Sequence, residues 1–516
     1  MPRVHQLKWA VLLALYANVA NAGDDGDRIA QLQKMLEAQQ KQMQAQQAQM
    51  QALADELKAL RQKPAAVTSK GGAPEKQIEQ QQWQINAMAD EVKALQDARG
   101  KSTGNPMYAN FKDGLVFEDG SGNWKLQFNG RVQTDYRNYD PGWKADTFSV
   151  RRARLGGTFS FLQDFAVRVE GEYANTNDGS KGSTALTYGY LDYTRWASAK
   201  IRAGQFKPFF GLERTYSTNF TDFTELSLAT NNGSVFNSTY DRGVMLYGDP
   251  LPWLNYNAYA INGTGQNNDD VNNVKDVGGR IDANFASLAG IKDSVIDVGA
   301  SYSTGSLGFS SSTASLTQAT EANGATFFSV SNLGLGNPSP TSHRTRWGLE
   351  TALTDGPVKL QSEYIGSNLQ GWQGNTYFDN DIKNWYADLM WMVTGESYAD
   401  VYKSGVFGRI RPKHNFDKDG WGALELGLRY SNFDASDFNN MLANSTAACK
   451  TGKASSTATC YTSKADAWTA GAKWILNPNA RLVLNYVYTN FDTPIIQSGH
   501  KSDNENAVVL RGQFDF

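Results

Sequence analysis

The 516-residue chain carries 49 Lys+Arg against 52 Asp+Glu, only 4 His and 2 Cys, and 12% aromatic residues. So few His and Cys nearly exclude a metal cluster built from them, and the balanced charge argues against a nucleic-acid binder. Past the N-terminus no run reaches the roughly 20 apolar residues of a membrane helix, which still leaves open a membrane barrel, whose strands need only about 10 alternating residues.

Residues 1–22 read as a secretory signal peptide. Arg3 and Lys8 precede the apolar run from Trp9 to Tyr16, and Ala20-Asn21-Ala22 supplies a small-x-small cleavage site after Ala22. The alternative, a short buried core helix, fits the basic start and the ending less well. Residues 23–105 read as a periplasmic coiled coil. Ile29, Leu32, Leu36, Gln39, Met43, Gln46, Met50, Leu53, Leu57 and Leu60 step by three and four, which is a heptad seam. After a Pro/Gly linker near 63–74 the seam resumes with Ile78, Gln81, Ile85, Met88, Val92 and Leu95. A lone helix would leave this stripe wet, so the seam predicts self-association, with Gln39, Gln46 and Gln81 as polar layers that set register. A Gln-rich disordered spacer is the competing reading.

From residue 106 to 516 the texture is period-two segments separated by Gly, Asn, Asp and Ser clusters. Leu126, Phe128, Gly130, Val132 and Thr134 share one face, while Lys125, Gln127, Asn129, Arg131, Gln133 and Asp135 share the other. A soluble sandwich also alternates, but three features favour an all-β transmembrane barrel. Tight connections at Leu162-Gln163-Asp164, Ala197-Ser198-Ala199, Asp249 to Pro252, Asp355-Gly356-Pro357 and Asn477-Pro478 alternate with long ones such as Lys207 to Thr239, Thr304 to His343 and Asp434 to Lys464. Apolar faces such as Trp468, Ala470, Ala472 and Trp474 lie opposite charged ones. The sequence also runs to its last residue, Phe516, within an alternating strand.

Strands are expected near 125–136, 147–161, 164–175, 185–196, 199–206, 240–248, 253–262 and 277–286, then 294–304, 344–354, 358–367, 383–393, 421–433, 465–477, 479–491 and 505–516. That makes about 16 antiparallel strands, wide enough for a water-filled channel. Thr394 to Gly420 is too long for a periplasmic turn. Cys449 and Cys460 lie in one Ser/Thr/Ala-rich stretch and are expected to form a disulfide outside the cytoplasm.

Arg151-Arg152-Ala153-Arg154-Leu155-Gly156-Gly157 and Gly204-Gln205-Phe206-Lys207-Pro208-Phe209-Phe210-Gly211-Leu212-Glu213 resemble blocks of the phosphate-selective porins of Gram-negative outer membranes, the porin O/P family. Trp385-Tyr386-Ala387-Asp388 with Thr394-Gly395-Glu396, and Arg511 to Phe516, are similar to further blocks, so the likeness spans roughly 110–516. The resemblance implies a trimer of 16-stranded barrels, a loop folded into each lumen and an arginine ladder that leads phosphate-type anions through. It also implies that the terminal Phe is an assembly signal. The coiled-coil extension departs from the smallest family members, and Phe209 stands where a second Pro is more usual.

Strand parity points Arg131, Arg152, Arg154, Arg168, Arg202 and Arg280 inward from the first half, and Arg346, Lys359, Arg429, Lys473, Arg481 and Arg511 from the second. Arg suits anion passage because its planar fork meets two phosphate oxygens and stays charged, and a graded series of weak sites conducts better than one trap. The bland reading of each is an ion pair with a lumen carboxylate: Asp135, Glu170, Glu172, Asp282, Glu350 and Glu363 share the parity. The constriction is expected from Lys207 to Thr239, with Lys207 and Arg214 set against Glu213, Asp222 and Glu225, a balance that would weaken phosphate selectivity if Asp222 and Glu225 face the channel. Arg409, Arg411 and Lys413 form a possible basic strip at the periplasmic mouth.

The leading expectation is an outer-membrane channel for passive diffusion of phosphate or other small anions, with a periplasmic N-terminal extension. The alternatives are a sugar-facilitating porin, suggested by Tyr216, Phe220 and Phe223, and a structural tether from the outer membrane to the cell wall through the coiled coil. An enzyme is not expected, since His343, His414 and His500 lie in separate loops and no nucleophile motif appears. Neither a cofactor nor a metal is expected, and the partners are small anions, outer-membrane lipid and copies of the same chain.

Overall fold

The computed structural model describes residues 107–516, apart from 112–113, 175–183, 232, 234, 237, 271–272, 308–313, 334–341, 418, 445 and 456. The expected signal peptide and coiled coil lie outside the described residues.

Strands begin with β1 (Met107–Phe111), β2 (Leu115–Asp119), β3 (Trp124–Asp140), β4 (Thr147–Phe161), β5 (Phe165–Glu172), β6 (Ala185–Trp196) and β7 (Ala199–Phe206). Next come β8 (Asp241–Leu251), β9 (Leu254–Ile261), β10 (Asp276–Asn284), β11 (Ser294–Ser306), β12 (Ala314–Ala319), β13 (Thr326–Leu333) and β14 (His343–Asp355). The last are β15 (Val358–Gln373), β16 (Thr376–Met392), β17 (Tyr402–Lys403), β18 (Val406–Phe407), β19 (Ala423–Asp434), β20 (Lys464–Asn477), β21 (Ala480–Gln497) and β22 (His500–Asp515). Among the described residues, sixteen of these form a closed antiparallel barrel. They are β3 to β11, β14 to β16 and β19 to β22, and each of the expected strands has its counterpart. The seam closes where β22 pairs β3, from Asn506 opposite Asp140 to Asp515 opposite Arg131. β1 and β2 extend the sheet below β3.

Alternation decides which face meets what. Val132, Leu155, Leu484 and Leu510 are exposed on the outer wall, whereas Gln133, Asp388, Arg429 and Thr469 are buried inside. A soluble protein hides its apolar face; this one displays it, as a lipid-facing wall requires. Trp347 packs on Tyr364, and Trp385, Tyr430 and Trp468 follow around the wall in contact, an aromatic girdle at one membrane interface. Trp124, Phe159, Phe161, Phe165 and Tyr193 line the opposite rim, beside the short turns.

Four strands run well past their expected limits. β15 and β16 continue to a turn at Gly374 and Asn375, and β21 and β22 to a turn at Ser498 and Gly499, both of positive φ (51° and 81°), the twist a two-residue hairpin needs. The apolar pattern changes face along these strands. Beyond the girdle Ile365, Leu369, Phe378 and Ile382 are buried inside, while Asn368 donates to Asp379 and Asp381 on the outside. A strand leaving the bilayer has water outside and packed loops inside, so a reading keyed to outward apolar residues stops too early.

Two long connections besides Lys207 to Thr239 enter the barrel. The β12–β13 hairpin places Phe327 and Phe328 against Phe433, Phe438 and Phe491, in one apolar cluster with Leu369 and Phe378. The segment 394–420 sets Tyr398 and Phe407, with β17–β18, against Met390, Met392 and Ile475. Its first part, through Ile410, is thus folded into the lumen, and residues 411–417 are largely exposed. The disulfide Cys449–Cys460 is formed, within the connection between β19 and β20.

Candidate functional site in the barrel lumen

The charged inner face is assembled from strand parity plus one irregularity. Across from Gln133 and Thr134 the register slips from Arg152 to Val150, a β-bulge at Arg151. Two residues then oppose one, so both Arg151 and Arg152 turn inward instead of alternating. Arg137, one pair beyond the expected end of the first strand, continues the inward row of Arg131, Gln133 and Asp135, all of them buried.

These side chains converge on the inserted third loop. Glu225 receives Arg137 Nη2 at 2.5 Å, Arg151 Nε at 2.8 Å and Arg511 Nη2 at 2.9 Å, with Arg152 Nη2 at 3.8 Å. Asp135 is shared by Arg137 at 2.6 Å and Arg511 at 2.7 Å. Four guanidiniums therefore surround two carboxylates. Burial opposes the charge of Glu225, but Arg151, Arg137 and Arg511 override it and hold the carboxyl well below the usual glutamate range.

A second cluster adjoins it on β3, β4 and β5. Arg154 pairs with Glu172 at 2.6 Å and Glu170 at 3.6 Å, Arg168 with Glu170 at 2.7 Å, and Arg131 approaches Glu170 at 4.0 Å while donating to Thr218 of the loop. Lys207 donates to the Tyr216 carbonyl at 2.9 Å. Burial first, then Arg214, Arg131, Arg154 and Arg152, press its ammonium well below the usual lysine range. A third group comprises Arg344 and Arg346, which share Asp276 at 2.7 and 3.6 Å, and Arg214 stacked 3.9 Å over Phe236 with its donors on the Thr230 and Ser238 carbonyls.

Of the six inward arginines expected in the first half, the fold gathers Arg131, Arg152, Arg154 and Arg168. Arg202 and Arg280 are also buried but closed into their own pairs. Arg202 forks onto Asp192 at 2.8 and 2.9 Å beneath Tyr190, and Arg280 bonds Glu350 and the Gly405 carbonyl. Asp222 is neutralised by Lys359 at 2.5 Å, and Glu213 by Arg429 at 2.6 Å. Arg409 meets Asp515 at 2.5 Å and the Pro478 carbonyl, Lys413 meets the Gly395 carbonyl, and Arg411 is exposed beside them. A sugar track of Tyr216, Phe220 and Phe223 is not what the loop presents. Tyr216 and Phe223 are core residues, and Phe220 lies under Arg409 and Arg481. Arg137, Arg151 and Arg344 escaped the parity reading. One further inward step along β3 and β14 would have found Arg137 and Arg344, whereas nothing local marks the bulge that turns Arg151.

A family model described as phosphate-selective porin O and P matches residues 126–516. Porin O of Pseudomonas aeruginosa is 26% identical over 426 residues, covering 78% of this chain and 91% of that protein. A protein of Caulobacter vibrioides is 24% identical over 443 residues, covering 81% of this chain and 78% of its own. Among solved structures, the outer membrane channel DcaP of Acinetobacter baumannii matches with a TM-score of 0.46 at 14% identity, over 78% of this chain and 99% of that one.

Proposed function

The chain belongs to the family of phosphate-selective porins O and P, which makes it an outer-membrane porin and not an enzyme, and from that premise we propose that it passes small anions, phosphate and phosphate-bearing solutes first. The observation that carries this is the surplus of guanidinium over carboxylate where loop and wall meet: Arg137, Arg151, Arg152 and Arg511 against Asp135 and Glu225. Arg131, Arg154 and Arg168 against Glu170 and Glu172 continue it. Charges confined in a narrow lumen are screened less than exposed ones, so the nearest cations govern which ions enter.

Each guanidinium that already holds a carboxylate binds a passing anion only partially. That suits conduction, which needs sites shallow enough to release. Arg131, Arg152, Arg154 and Arg168 are assigned to one stretch of the path, with Lys207 and Arg214 at the constriction. Arg202 and Arg280, closed into their own ion pairs, brace the wall instead, and Arg409, Arg411 and Lys413 guide anions at the periplasmic mouth. We further propose a homotrimer whose residues 23–105 form a periplasmic coiled coil, supported by the heptad seam.

The test is electrical. In planar bilayers under a KCl gradient, the reversal potential is expected to report anion preference, and inorganic phosphate to block the chloride current. Arg152→Ala should weaken both. Cation preference without phosphate block would refute the reading.

A further inference from the structure

Glu225 is a loop residue, yet it occupies the centre of a site built by the wall. Its two oxygens accept from Arg151 Nε and Nη2, Arg137 Nη2 and Arg511 Nη2, and Arg152 Nη2 stands at 3.8 Å. Two carboxylate oxygens thus accept four guanidinium N–H groups from three side chains, with a fourth guanidinium, Arg152, at ion-pair distance. Three of these arginines are also held by other groups. Arg137 Nη1 bonds the Ala322 carbonyl, Arg152 Nη1 bonds Gln133, and Arg511 Nη1 bonds the Thr224 carbonyl, while Asp135 takes the inner edges of Arg137 and Arg511. What points at Glu225 is therefore a convergent set of N–H groups, braced by other contacts and partly exposed at Arg151, whose side chain is 18% exposed.

Such a set has more donors than a carboxylate can use. A phosphate oxyanion, with up to four oxygens and as many as two charges, matches it better. With Glu225 in place, the four guanidiniums keep two charges uncompensated by Asp135 and Glu225; with a neutral residue at 225 they would keep three.

We infer that Glu225 is the specificity-determining residue of this lumen: a tethered anion that sits where a permeating phosphate oxyanion would bind, and that sets how tightly the arginine cluster holds one. This rests on the anion-channel reading above. Because the carboxylate is part of the chain, it competes at a fixed effective concentration and converts a potential trap into a site that releases. Thr224 and Phe223, its neighbours, are anchored separately by Asn485 and under Arg429, so loss of the Glu225 charge leaves the loop other attachments.

The experiment compares full-length wild type, Glu225→Gln and Glu225→Asp in planar bilayers, with inorganic phosphate as blocker of chloride current. In Glu225→Gln the half-blocking phosphate concentration is expected to fall about tenfold, because one opposing charge is removed at contact distance. The KCl reversal potential should move further towards anions. Glu225→Asp, which retracts the charge by one methylene, should move both in the same direction by less. Unchanged or weaker block in Glu225→Gln, or a larger conductance at an unchanged reversal potential, overturns the inference. If Glu225→Gln fails to show the heat-modifiable gel mobility of a folded barrel, Glu225→Asp decides: block no tighter than wild type overturns it. A cation-preferring wild type would instead sink the anion-channel reading, and the difference between variant and wild type would still report on Glu225.

Discussion

Arg429 shows how one buried side chain can tie a loop to a wall. It is fully buried, forks onto Asp388 at 2.7 and 2.8 Å, reaches Glu213 at 2.6 Å and donates to the Glu225 carbonyl at 3.1 Å. Two of its partners belong to the third loop and one to β16, so a single guanidinium holds the insertion in place. Removing it leaves two buried carboxylates, Asp388 and Glu213, without their cation, and breaking a buried ion pair in this way costs about 3–5 kcal/mol. Arg429→Ala is therefore expected to unfold at markedly lower temperature in detergent and to show noisier, larger currents. An unfolding temperature equal to that of wild type on heat-modifiability gels would count against this clamp. Parity identified Arg429 as inward, because β19 alternates without fault around it. It did not identify the partners, which lie on elements more than 40 and 200 positions away.

At the scale of elements, the β12–β13 hairpin is the clearest departure from a simple external loop. Its tip reaches the lumen wall: the Ala322 carbonyl accepts from Arg137 and Tyr139, and Glu505 accepts from Thr320 at 2.6 Å and the Ala325 amide at 2.6 Å. Gly324 permits this approach, since a Cβ there would lie 2.2 Å from Glu505 Oε2. Replacing Ala314–Leu333 by a short Gly/Ser linker should raise single-channel conductance while leaving a folded barrel. Conductance equal to wild type would show that the hairpin lies clear of the ion path. The sequence marks 304–343 as a long connection and nothing more. Its alternation is indistinguishable from that of a strand in the wall, and only the aromatic cluster around Phe327 and Phe433 turns it inward. The overrun of β15, β16, β21 and β22 has the same origin, because which face is apolar depends on whether lipid or water lies outside.

For the molecule as a whole, deletion of residues 27–98 is the test of the proposed assembly. If the heptad seam holds copies together, the shortened protein should form detergent-resistant trimers less readily while keeping its barrel and its phosphate block. Unaltered trimer resistance would assign that stretch another role. Barrel class, strand number, the position of the tight turns and the inward sense of Arg131, Arg152 and Arg154 are all legible in the amino-acid sequence by itself. Each is a consequence of local periodicity, since a strand has only two faces and a bilayer assigns one of them to apolar side chains. What only the tertiary structure decided is which charges meet. The bulge that turns Arg151, the seating of Glu225 among four arginines and the filling of the lumen by three connections depend on contacts between residues far apart in the chain, and the energy that selects among such pairings is absent from any local pattern.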